Sequence, residues 1–244
     1  MKNFVRMVML SAVVSVCLAG CGNDNGTNNG GGNNIPPVDP STVVKDVFTD
    51  DRDGTVYKTV KIGSQTWMAE NLNYQTDKSC CYNDSDSYCG KYGRLYIWDA
   101  AKTACPNGWH LPDKTAWVRL MNAVGGRKST GGCLYEDCID DLSGVGAKLK
   151  ATSGWDDYQG ISNGTDDYGF TALPGGSAGS TGIGFGAGIT TIWWTASEWE
   201  YYYNGVNIAA GVFYYVNIGS GSDKASIYHN DKNQHNSVRC LKDD

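Results

Sequence analysis

Alternation of apolar and polar side chains predicts a series of short β-strands along most of this chain. Val56 to Ile62 alternates, Gly63-Ser64 forms a turn, and Gln65 to Met68 returns, which together predict a hairpin. The uncharged, glycine-rich stretch from Gly175 to Gly188 predicts a loop. Further strands are predicted at Phe170 to Leu173, Ile192 to Ser197, Val212 to Ile218, Ser226 to His229 and Ser237 to Lys242.

Two segments have the apolar spacing of a helix. The first is predicted from about Leu95 to Ala104 and ends before Pro106, because proline disrupts a helix interior. The second is predicted to begin after Asp113, which acts as the N-cap, and to end at Gly125-Gly126. Its apolar side chains recur at helical spacing at Trp117, Leu120, Met121 and Val124. Short mixed or antiparallel strands, two helices and a long glycine-rich loop region predict an α+β fold.

The first residues of the chain are predicted to be a signal peptide. Lys2 and Arg6 precede an apolar run from Met7 to Ala19, which is too short to span a membrane. The run ends in Leu18-Ala19-Gly20-Cys21, which resembles the bacterial lipobox, in which the cysteine sulfur is lipidated. We therefore predict a lipoprotein signal peptide over residues 1–20 and a lipid on Cys21. The alternative is an ordinary secretory signal, with Cys21 in a disulfide.

The predicted location is the outer membrane. Gly22 is not the aspartate that favours retention in the inner membrane, so the exported protein is expected on the periplasmic or the outer side of the outer membrane. Residues 21–42 are rich in Asn, Gly and Pro and have few apolar side chains, which predicts a flexible tether. Residues 43–244 are long enough to form one folded domain.

Composition and charge narrow the class of protein. The chain has 15 Tyr, 8 Trp and 32 Gly but only 5 Phe, which is typical of a loop-rich extracellular domain. Its net charge is -6 and it has no basic cluster. Because nucleic-acid binding needs a positive patch, no nucleic-acid partner is predicted.

The number of cysteines supports export. Of nine cysteines, Cys17 leaves with the signal peptide and Cys21 is lipidated, which leaves seven in the domain. The odd cysteine is predicted to be Cys80 or Cys81. No metal is predicted, because there is no Cys-x2-Cys pair and no histidine at the spacing of a zinc finger. The predicted disulfides are Cys81–Cys89, Cys133–Cys138 and Cys105–Cys240.

Several sequence blocks resemble a known family. Residues 51–74 read DRDGTVYKTVKIGSQTWMAENLNY and are similar to the opening signature of the Fibrobacter succinogenes major paralogous domain. The resemblance covers roughly Asp46 to Lys242, and the chain departs from it in a short segment after Trp98 and in the additional Cys80. Later blocks follow in the family's order: KYGRLYIW at 91–98, CPNGWHLP at 105–112, GAKLK at 146–150, GFTALPGG at 169–176 and SVRC at 237–240.

The resemblance implies a C-type lectin-like fold, which the formylglycine-generating enzymes share. In that fold the N- and C-terminal strands pair, and two helices flank a long loop region. The family consists largely of uncharacterised surface lipoproteins, so the resemblance supplies no substrate. The copper-binding cysteine pair of the formylglycine-generating enzymes cannot be placed on these cysteines, so their activity is not inferred.

Calcium-dependent sugar binding, which the fold suggests, is not supported by motifs. The lectin motifs Glu-Pro-Asn or Gln-Pro-Asp and Trp-Asn-Asp, whose oxygens hold calcium, are absent. Acidic residues do cluster, and we interpret these clusters as solvated turns, with a calcium site as the alternative. They are Asp50, Asp51 and Asp53, then Asp84 and Asp86, then Asp156, Asp157, Asp166 and Asp167.

Aromatic side chains give the better indication of a carbohydrate site, because flat Trp and Tyr rings stack on sugar rings. Alternation places Trp193 and Trp194 on opposite faces of a strand, so at least one of them is predicted to be buried. The ligand-binding residues are predicted to be Trp199, Tyr201 and Tyr203. The remaining tryptophans considered are interpreted as packing residues: Trp67, Trp98, Trp109 and Trp117.

No catalytic constellation is recognised in the sequence. The histidines are His110, His229 and His235, and none is part of a recognisable Ser or Cys motif. Carboxylates are plentiful, but their number alone does not define a glycosidase pair. We therefore predict no catalytic residue, no cofactor and no enzyme activity.

These observations predict a lipid-anchored surface protein that acts as a binding or adhesion module for a polysaccharide or another surface protein. One alternative is a structural or assembly component of the envelope without a small ligand. A less favoured alternative is an enzyme acting on glycosides. The predicted membrane contact is the lipid on Cys21, and the sequence makes no prediction of oligomeric state.

Overall fold

β-Sheets make up most of the protein, and a few short helices accompany them, so the fold is α+β. The structure is a computed structural model, and it describes residues 37–128 and 140–244. The helices are α1 (Asp86–Tyr92), α2 (Trp98–Ala104), α3 (Lys114–Ala123) and α4 (Val145–Leu149), with 3₁₀ turns at Pro40–Thr42 and Tyr82–Asp84. The strands are β1 (Val44–Thr49), β2 (Val56–Ile62), β3 (Gln65–Met68), β4 (Ser79–Cys80), β5 (Leu95–Tyr96), β6 (Trp109–His110), β7 (Arg127–Lys128), β8 (Asp140–Ser143), β9 (Ser177–Ala178), β10 (Gly184–Phe185), β11 (Thr190–Glu198), β12 (Tyr202–Tyr203), β13 (Val206–Asn207), β14 (Val212–Gly219), β15 (Ala225–Asp231), β16 (Asn236–Ser237) and β17 (Leu241–Lys242).

The strands form two main sheets. The smaller sheet has the order β1-β2-β3-β17-β6, and its neighbouring strands are antiparallel. The larger sheet has the order β4-β5-β16-β11-β14-β15-β8-β7, in which β11 and β16 run parallel. Two separate ribbons are formed by β9 with β10 and by β12 with β13. Because β17 pairs with β3, an early strand and the last strand of the domain lie in one sheet.

The predicted hairpin is confirmed, with β2 and β3 at the predicted bounds. Along β2, exposed Lys58 lies between buried Tyr57 and Thr59, and exposed Lys61 lies between buried Val60 and Ile62. Each half of the strand therefore alternates, and the buried face changes between Thr59 and Val60. Gly63 between the strands has a φ of 62°, a left-handed conformation that glycine adopts without strain. The turn and the alternation together therefore fixed this hairpin in the sequence.

Strand β11 separates two parts of the hydrophobic core. Trp193 and Trp194 are both fully buried, and they belong to different clusters, as their predicted positions on opposite faces require. The Trp193 ring stacks on Trp117 of α3 with centroids 5.3 Å apart. On the other side of the strand, the Trp194 Nε1 donates to the carbonyl of Tyr96 at 2.8 Å. Both tryptophans are thus packing residues.

Helix α3 confirms the second predicted helix and its N-cap. The Asp113 carboxylate accepts a hydrogen bond from the Ala116 N–H at 2.7 Å, which satisfies one of the free donors at the helix start. Trp117 and Leu120 are buried on the face that meets the core. The helix ends at Ala123, and Gly125 follows with a φ of 80°.

The first predicted helix begins at Trp98 rather than Leu95, so its predicted start was wrong. Leu95 and Tyr96 form β5, which lies between β4 and β16. Both side chains are buried, and the Tyr96 hydroxyl donates to the carbonyl of Tyr74 at 2.7 Å. Pairing with strands on both sides, which depends on distant parts of the chain, outweighs the local helical spacing here.

Two helices were missed because they are too short to show a helical period. Helix α1 has seven residues, and its Cys89 is joined by a disulfide to Cys81. Helix α4 has five residues and follows Gly144, whose φ is 80°. Each has one or two turns, so neither produces a repeating apolar stripe.

The strand predicted at Phe170 to Leu173 is not formed. Thr171 adopts a left-handed φ of 53°, and Ala172 makes only an isolated bridge to Lys150. The Thr171 N–H and Oγ1 donate to the Asp166 carboxylate at 2.7 and 2.9 Å. These side-chain bonds replace the bonds of a strand ladder and hold a turn instead.

The strand predicted from Ser237 to Lys242 is interrupted, because the chain passes from one sheet to the other. Ser237 belongs to β16 in the larger sheet, and Leu241 belongs to β17 in the smaller one. Between them, the Val238 carbonyl accepts from the Leu72 N–H at 2.9 Å and the Cys240 carbonyl accepts from the Met68 N–H at 3.0 Å. This crossing segment ties the two sheets together.

The glycine-rich region from Gly175 to Gly188 contains the β9–β10 ribbon and is not loop throughout. Gly176 and Gly184 lie against the ring of Tyr82, where a Cβ atom would lie 2.9 and 2.7 Å from ring carbons. These two glycines are therefore required by the close approach of backbone to a tyrosine ring.

The last part of the predicted tether packs against the domain. The Val38 N–H donates to the Ala123 carbonyl at 2.7 Å, and the Tyr168 hydroxyl donates to the Val38 carbonyl at 3.0 Å. Tether residues before 37, the signal peptide and Cys21 lie outside the described residues. In the ranges that the structure covers, no helix is both long and apolar enough to cross a membrane.

Asp50 is expected to make stability depend on pH. It is fully buried and accepts hydrogen bonds from Arg52 Nε and Nη2 at 2.8 and 2.6 Å, and these bonds hold the pKa of the Asp50 carboxyl below its usual 3.8. Because the pKa of Asp50 is lower in the folded protein than in the unfolded chain, ionised Asp50 stabilises the fold fully when the pH is above the unfolded-state pKa. This stabilisation is lost as the pH falls through the folded-state pKa. We expect Asp50→Asn to cost about 2 kcal/mol of unfolding free energy at pH 7.

Urea unfolding between about pH 7 and pH 2 tests this expectation. The difference between the native chain and Asp50→Asn should shrink as pH falls below about 4. Asp51→Asn, at the exposed neighbouring position, is the matched control and should change stability little. A difference for Asp50→Asn that stays constant down to pH 2 would contradict the assigned role of the Asp50–Arg52 pair.

Candidate functional site

The predicted ligand-binding residues lie on a hairpin that extends from the larger sheet between β11 and β14. Its strands β12 and β13 pair Tyr202 with Asn207 and Tyr203 with Val206. The turn residues Asn204 and Gly205 have φ values of 49° and 78°, as in the type I′ turn that favours Asn-Gly. We call residues 199–208 the aromatic ribbon.

One face of the aromatic ribbon is apolar and exposed. Residues that are partners across two strands share a face, and Tyr203 is paired with Val206. The Ile208 N–H donates to the Tyr201 carbonyl, which places Tyr201 beside Ile208 on the same face. These four side chains are between 51% and 62% exposed. A contiguous apolar surface of this kind on a protein typically marks a place of contact with another molecule.

Trp199 stands at the base of the ribbon, where stacking fixes its ring. The ring is stacked on His229 of β15, with centroids 3.9 Å apart and an interplanar angle of 7°. It is also parallel to the Tyr201 ring, with centroids 5.8 Å apart and the same angle of 7°. The Trp199 N–H donates to the Val212 carbonyl at 2.9 Å, which attaches the base of the ribbon to β14.

Hydrogen-bonding groups accompany these rings. Glu198 and Glu200 flank Trp199 in the chain and are exposed, so their carboxylate oxygens are accessible to donors in a ligand. The Asn207 Oδ1 instead accepts from the Ala209 N–H at 2.9 Å and steadies the second strand. Parallel flat rings with accessible carboxylates beside them suit an extended ligand that has apolar faces and hydroxyl groups.

The structure thus brings together Trp199, Tyr201 and Tyr203, the three residues predicted to bind a ligand. The aliphatic part of the same face, Val206 and Ile208, was not predicted. The signal for it was present in the Asn204-Gly205 pair, which lies between two apolar stretches and is typical of a two-residue hairpin turn.

Trp67, Trp98, Trp109 and Trp117 are buried, as their interpretation as packing residues requires. Trp98 stacks face to face on Phe213 at 3.5 Å, and Trp67 packs against Trp117 at 4.7 Å. Their rings therefore face the interior and contribute to the core.

His110 and His235 make separate local contacts and do not lie in one site. His110 is exposed and pairs with the carboxylate of Asp243, and the His235 Nδ1 lies 3.1 Å from the carbonyl of Gly179. Burial lowers the pKa of His235. Within residues 37–128 and 140–244, no cluster of three or more His, Cys, Asp or Glu side chains could hold a metal ion.

The interpretation of the acidic clusters as solvated turns was wrong for two residues. Asp50 is fully buried against Arg52, and Asp166 is buried enough that its carboxyl pKa is raised. Both carboxylates fix the backbone locally, since Asp50 accepts from the Arg52 N–H and Asp166 from that of Thr171. They are structural groups that sequence patterning did not separate from exposed acids.

Two of the three predicted disulfides are present. Cys81 is joined to Cys89, and Cys105 to Cys240. Cys80 is the free cysteine among the described residues, which settles which of the adjacent pair is unpaired. The predicted Cys133–Cys138 bridge lies outside the described residues.

Comparison with known proteins identifies the domain. Searches of curated proteins and of solved structures gave no match. The family model described as the Fibrobacter succinogenes major domain matches residues 60–242, which is well over half of the chain. The matched range extends from β2 to β17 and includes the aromatic ribbon. The chain therefore belongs to the Fibrobacter succinogenes major domain family.

Proposed function

We propose that this protein is a lipid-anchored binding module of the outer membrane that holds a polysaccharide on the aromatic ribbon and has no catalytic role. The observation that carries the proposal is the exposed face of the ribbon, with the Trp199 and Tyr201 rings parallel to within 7° at its base. Sugar rings present flat C–H faces that pack on such aromatic surfaces, and their hydroxyls donate to nearby carboxylates such as those of Glu198 and Glu200.

The shape of the site favours a polymer over a small molecule. The ribbon is an open projection rather than a pocket, whereas small ligands are normally enclosed by concave sites. A polymer gains affinity from repeated contacts along such a surface, since each additional unit binds at a raised effective concentration. The net charge of -6 further favours a neutral polymer over a polyanion.

The proposed fold is the C-type lectin-like one. Pairing of β3 with the terminal strand β17 supports it, as do helices α2 and α3. The long connection that includes the glycine-rich region and precedes β11 corresponds to the loop region of such folds. Because these folds serve many functions, the proposal for sugar binding depends on the ribbon and not on the fold.

The position of the tether supports display of the ribbon. Val38, where the described chain begins to contact the domain, is bonded to Ala123 at the C-terminal end of α3. At the other end of the helix, the Lys114 N–H donates to Ser197 Oγ of β11, just before the ribbon. A ten-residue helix is about 15 Å long. Val38 and the base of the ribbon therefore lie at opposite ends of α3, so the point where the chain joins the domain does not cover the ribbon.

Anchoring through Cys21 is tested by changing that residue. We expect Cys21→Ser to move the protein from the membrane fraction to the soluble fraction, because no lipid can be attached to the serine. Fractionation followed by immunoblotting measures the change. Cys80→Ser is the matched control and should leave the protein in the membrane fraction. Retention of Cys21→Ser in the membranes would contradict lipid anchoring at this residue.

Polysaccharide binding is tested with the full chain on a panel of insoluble and soluble plant and bacterial polysaccharides, with and without calcium. We expect retention on a polymer independently of calcium, and we expect Trp199→Ala combined with Tyr201→Ala to weaken it at least about tenfold. Loss of two stacked aromatic rings commonly costs this much or more.

Tyr158→Ala provides the control for this experiment, because Tyr158 is also exposed, at 58%, but lies outside the ribbon. It should bind like the native chain. Equal retention of the native chain and the ribbon variant would locate the binding site elsewhere. Retention on no polymer would overturn the proposal and would favour a structural role in the envelope.

A further inference from the structure

A row of side chains crosses all five strands of the smaller sheet on one face, because residues that are partners across strands share a face. Val44 of β1 is paired with Lys61 of β2, which is paired with Thr66 of β3. The antiparallel register of β3 and β17 pairs Thr66 with Lys242, which is paired with Trp109 of β6. A concave surface of about 200 Å³ lies along these five residues, and we call it the lysine groove. Drug-sized ligands occupy sites of at least about 300 Å³, so the lysine groove suits a single small unit.

The two lysines of the groove are accessible and have no acidic partner. Lys61 and Lys242 are exposed, and neither side chain makes an ion pair or a hydrogen bond with the part of the chain that the structure describes. Asp243, which follows Lys242, pairs instead with His110. Because each lysine neighbours Thr66 in the row and has a long flexible stem, both ammonium groups reach the space above the Thr66 hydroxyl.

The charged side chains that line the lysine groove leave an excess of one positive charge. They are two ammonium groups and the carboxylate of Asp46, which is exposed on β1. At about 0.1 M salt, exposed charges more than about 10 Å apart are largely screened from each other. The local excess therefore attracts one acidic group, although the chain as a whole has a net charge of -6. A polyanion would in addition meet Asp46 and the negative charge of the rest of the chain.

The other groups of the lysine groove suit a hydroxylated ring. The Thr66 hydroxyl is partly exposed, has no partner among the described residues, and both donates and accepts. One carboxylate oxygen of Asp46 accepts from the Val47 N–H at 2.8 Å, which leaves the other oxygen for a donor in a ligand. Val44 is 58% exposed and adds an apolar surface at the end of the row. A sugar ring has both the hydroxyls and the C–H faces that match these groups.

We propose that the lysine groove binds one residue of an acidic sugar, a uronate, with its carboxylate between Lys61 and Lys242 and its hydroxyls bonded to Thr66 and Asp46. The groove lies on the smaller sheet, whereas the aromatic ribbon extends from the larger one. The proposal therefore does not rest on the function proposed for the ribbon.

Exposed lysines allow the charge to be removed without disturbing the core. Lys61→Gln and Lys242→Gln each remove one of the two proposed ammonium groups. Lys58→Gln is the matched control, because Lys58 is exposed on the same strand but lies on its other face, where it pairs with Glu70. Thr66→Val removes the hydroxyl between the two lysines and keeps a side chain of similar shape.

Saturation-transfer NMR of the purified full chain tests the proposal with D-glucuronate and D-galacturonate. D-Glucose and D-galactose have the same rings without the carboxylate, and acetate has a carboxylate without a ring. We expect at least one uronate to bind with a Kd at least about tenfold below those of its neutral sugar and of acetate, and each of Lys61→Gln and Lys242→Gln to raise that Kd about fivefold. Thr66→Val should raise it about threefold. Lys58→Gln and the Trp199→Ala, Tyr201→Ala variant should bind like the native chain.

The proposal is overturned if neither uronate binds, or if acetate or the neutral sugar binds as tightly as the uronate. It is also overturned if uronate binding is unchanged in both Lys61→Gln and Lys242→Gln, or is lost only in the ribbon variant. Polysaccharide retention by the ribbon is measured separately, so either proposal can fail while the other stands. Thermal unfolding of each variant identifies loss of fold, which is not expected at exposed lysines.

Discussion

Replacing Cys105 and Cys240 by alanine is expected to lower the free energy of unfolding by about 5 kcal/mol. The two cysteines are 135 residues apart, and in the chain-entropy model a cross-link over so long a loop removes much of the freedom of the unfolded chain. The bond joins the C-cap of α2 to the segment that crosses between the two sheets. Its loss should therefore loosen both sheets at the place where they meet.

Denaturant unfolding of the double variant, compared with the native oxidised chain, measures this effect. The matched control is the Cys81→Ala, Cys89→Ala variant, whose bridge spans only 8 residues and should be worth about 2.5 kcal/mol in the same model. If both variants lose the same amount, loop length does not determine the contribution of the long bridge.

Arg239→Met is expected to cost about 3 kcal/mol of unfolding free energy. The guanidinium is fully buried, and it donates to the Asn71 Oδ1 at 2.8 and 3.0 Å and to the Phe170 carbonyl at 2.7 Å. Methionine fills similar space but removes the Arg239 donor from the Phe170 carbonyl and leaves the Asn71 Oδ1 with the Trp193 Nε1 alone, and an unsatisfied buried group costs about 1 to 3 kcal/mol. Burial of the charge lowers the Arg239 pKa to about 9, and removing that cost offsets part of the loss.

The Lys variant separates charge from geometry. Arg239→Lys keeps the positive charge, but an ammonium group cannot reach the Phe170 carbonyl and also donate twice to the Asn71 Oδ1, as the planar guanidinium does. We expect it to be destabilised as well, by about 2 kcal/mol in denaturant unfolding. Arg119→Met, at an exposed arginine of α3, is the control and should change stability by less than about 0.5 kcal/mol. A stable Arg239→Lys would mean that charge alone matters at this position.

The parts of the fold that follow from local pattern could be predicted from the sequence. The β2–β3 hairpin has both an alternating strand and a glycine turn, and α3 has an N-cap, an apolar stripe and a terminal glycine pair. Helix α2 lost its predicted first residues to β5, because Leu95 and Tyr96 pair with strands that come from distant parts of the chain. Pairing between distant segments cannot be recognised from the spacing of apolar residues within one segment.

The candidate site likewise has residues with a local sequence signal and residues without one. Trp199 and the following tyrosines were found because they form a dense aromatic run next to a strand. Val206 and Ile208 were not predicted, because they join the apolar face only through cross-strand pairing with Tyr203 and Tyr201. Likewise, the burial of Asp50 depends on its contact with Arg52 and not on its acidic neighbours.

Hydrogen exchange of the full chain, alone and with a soluble fragment of the polysaccharide that retains it, tests the proposed function most directly. We expect slower exchange of backbone amides in the aromatic ribbon, residues 199–208, when the fragment is bound. The exposed turn from Tyr158 to Ile161 should exchange at the same rate in both states. Unchanged exchange in the ribbon, with protection at another surface, would contradict the assignment of polysaccharide binding to the ribbon.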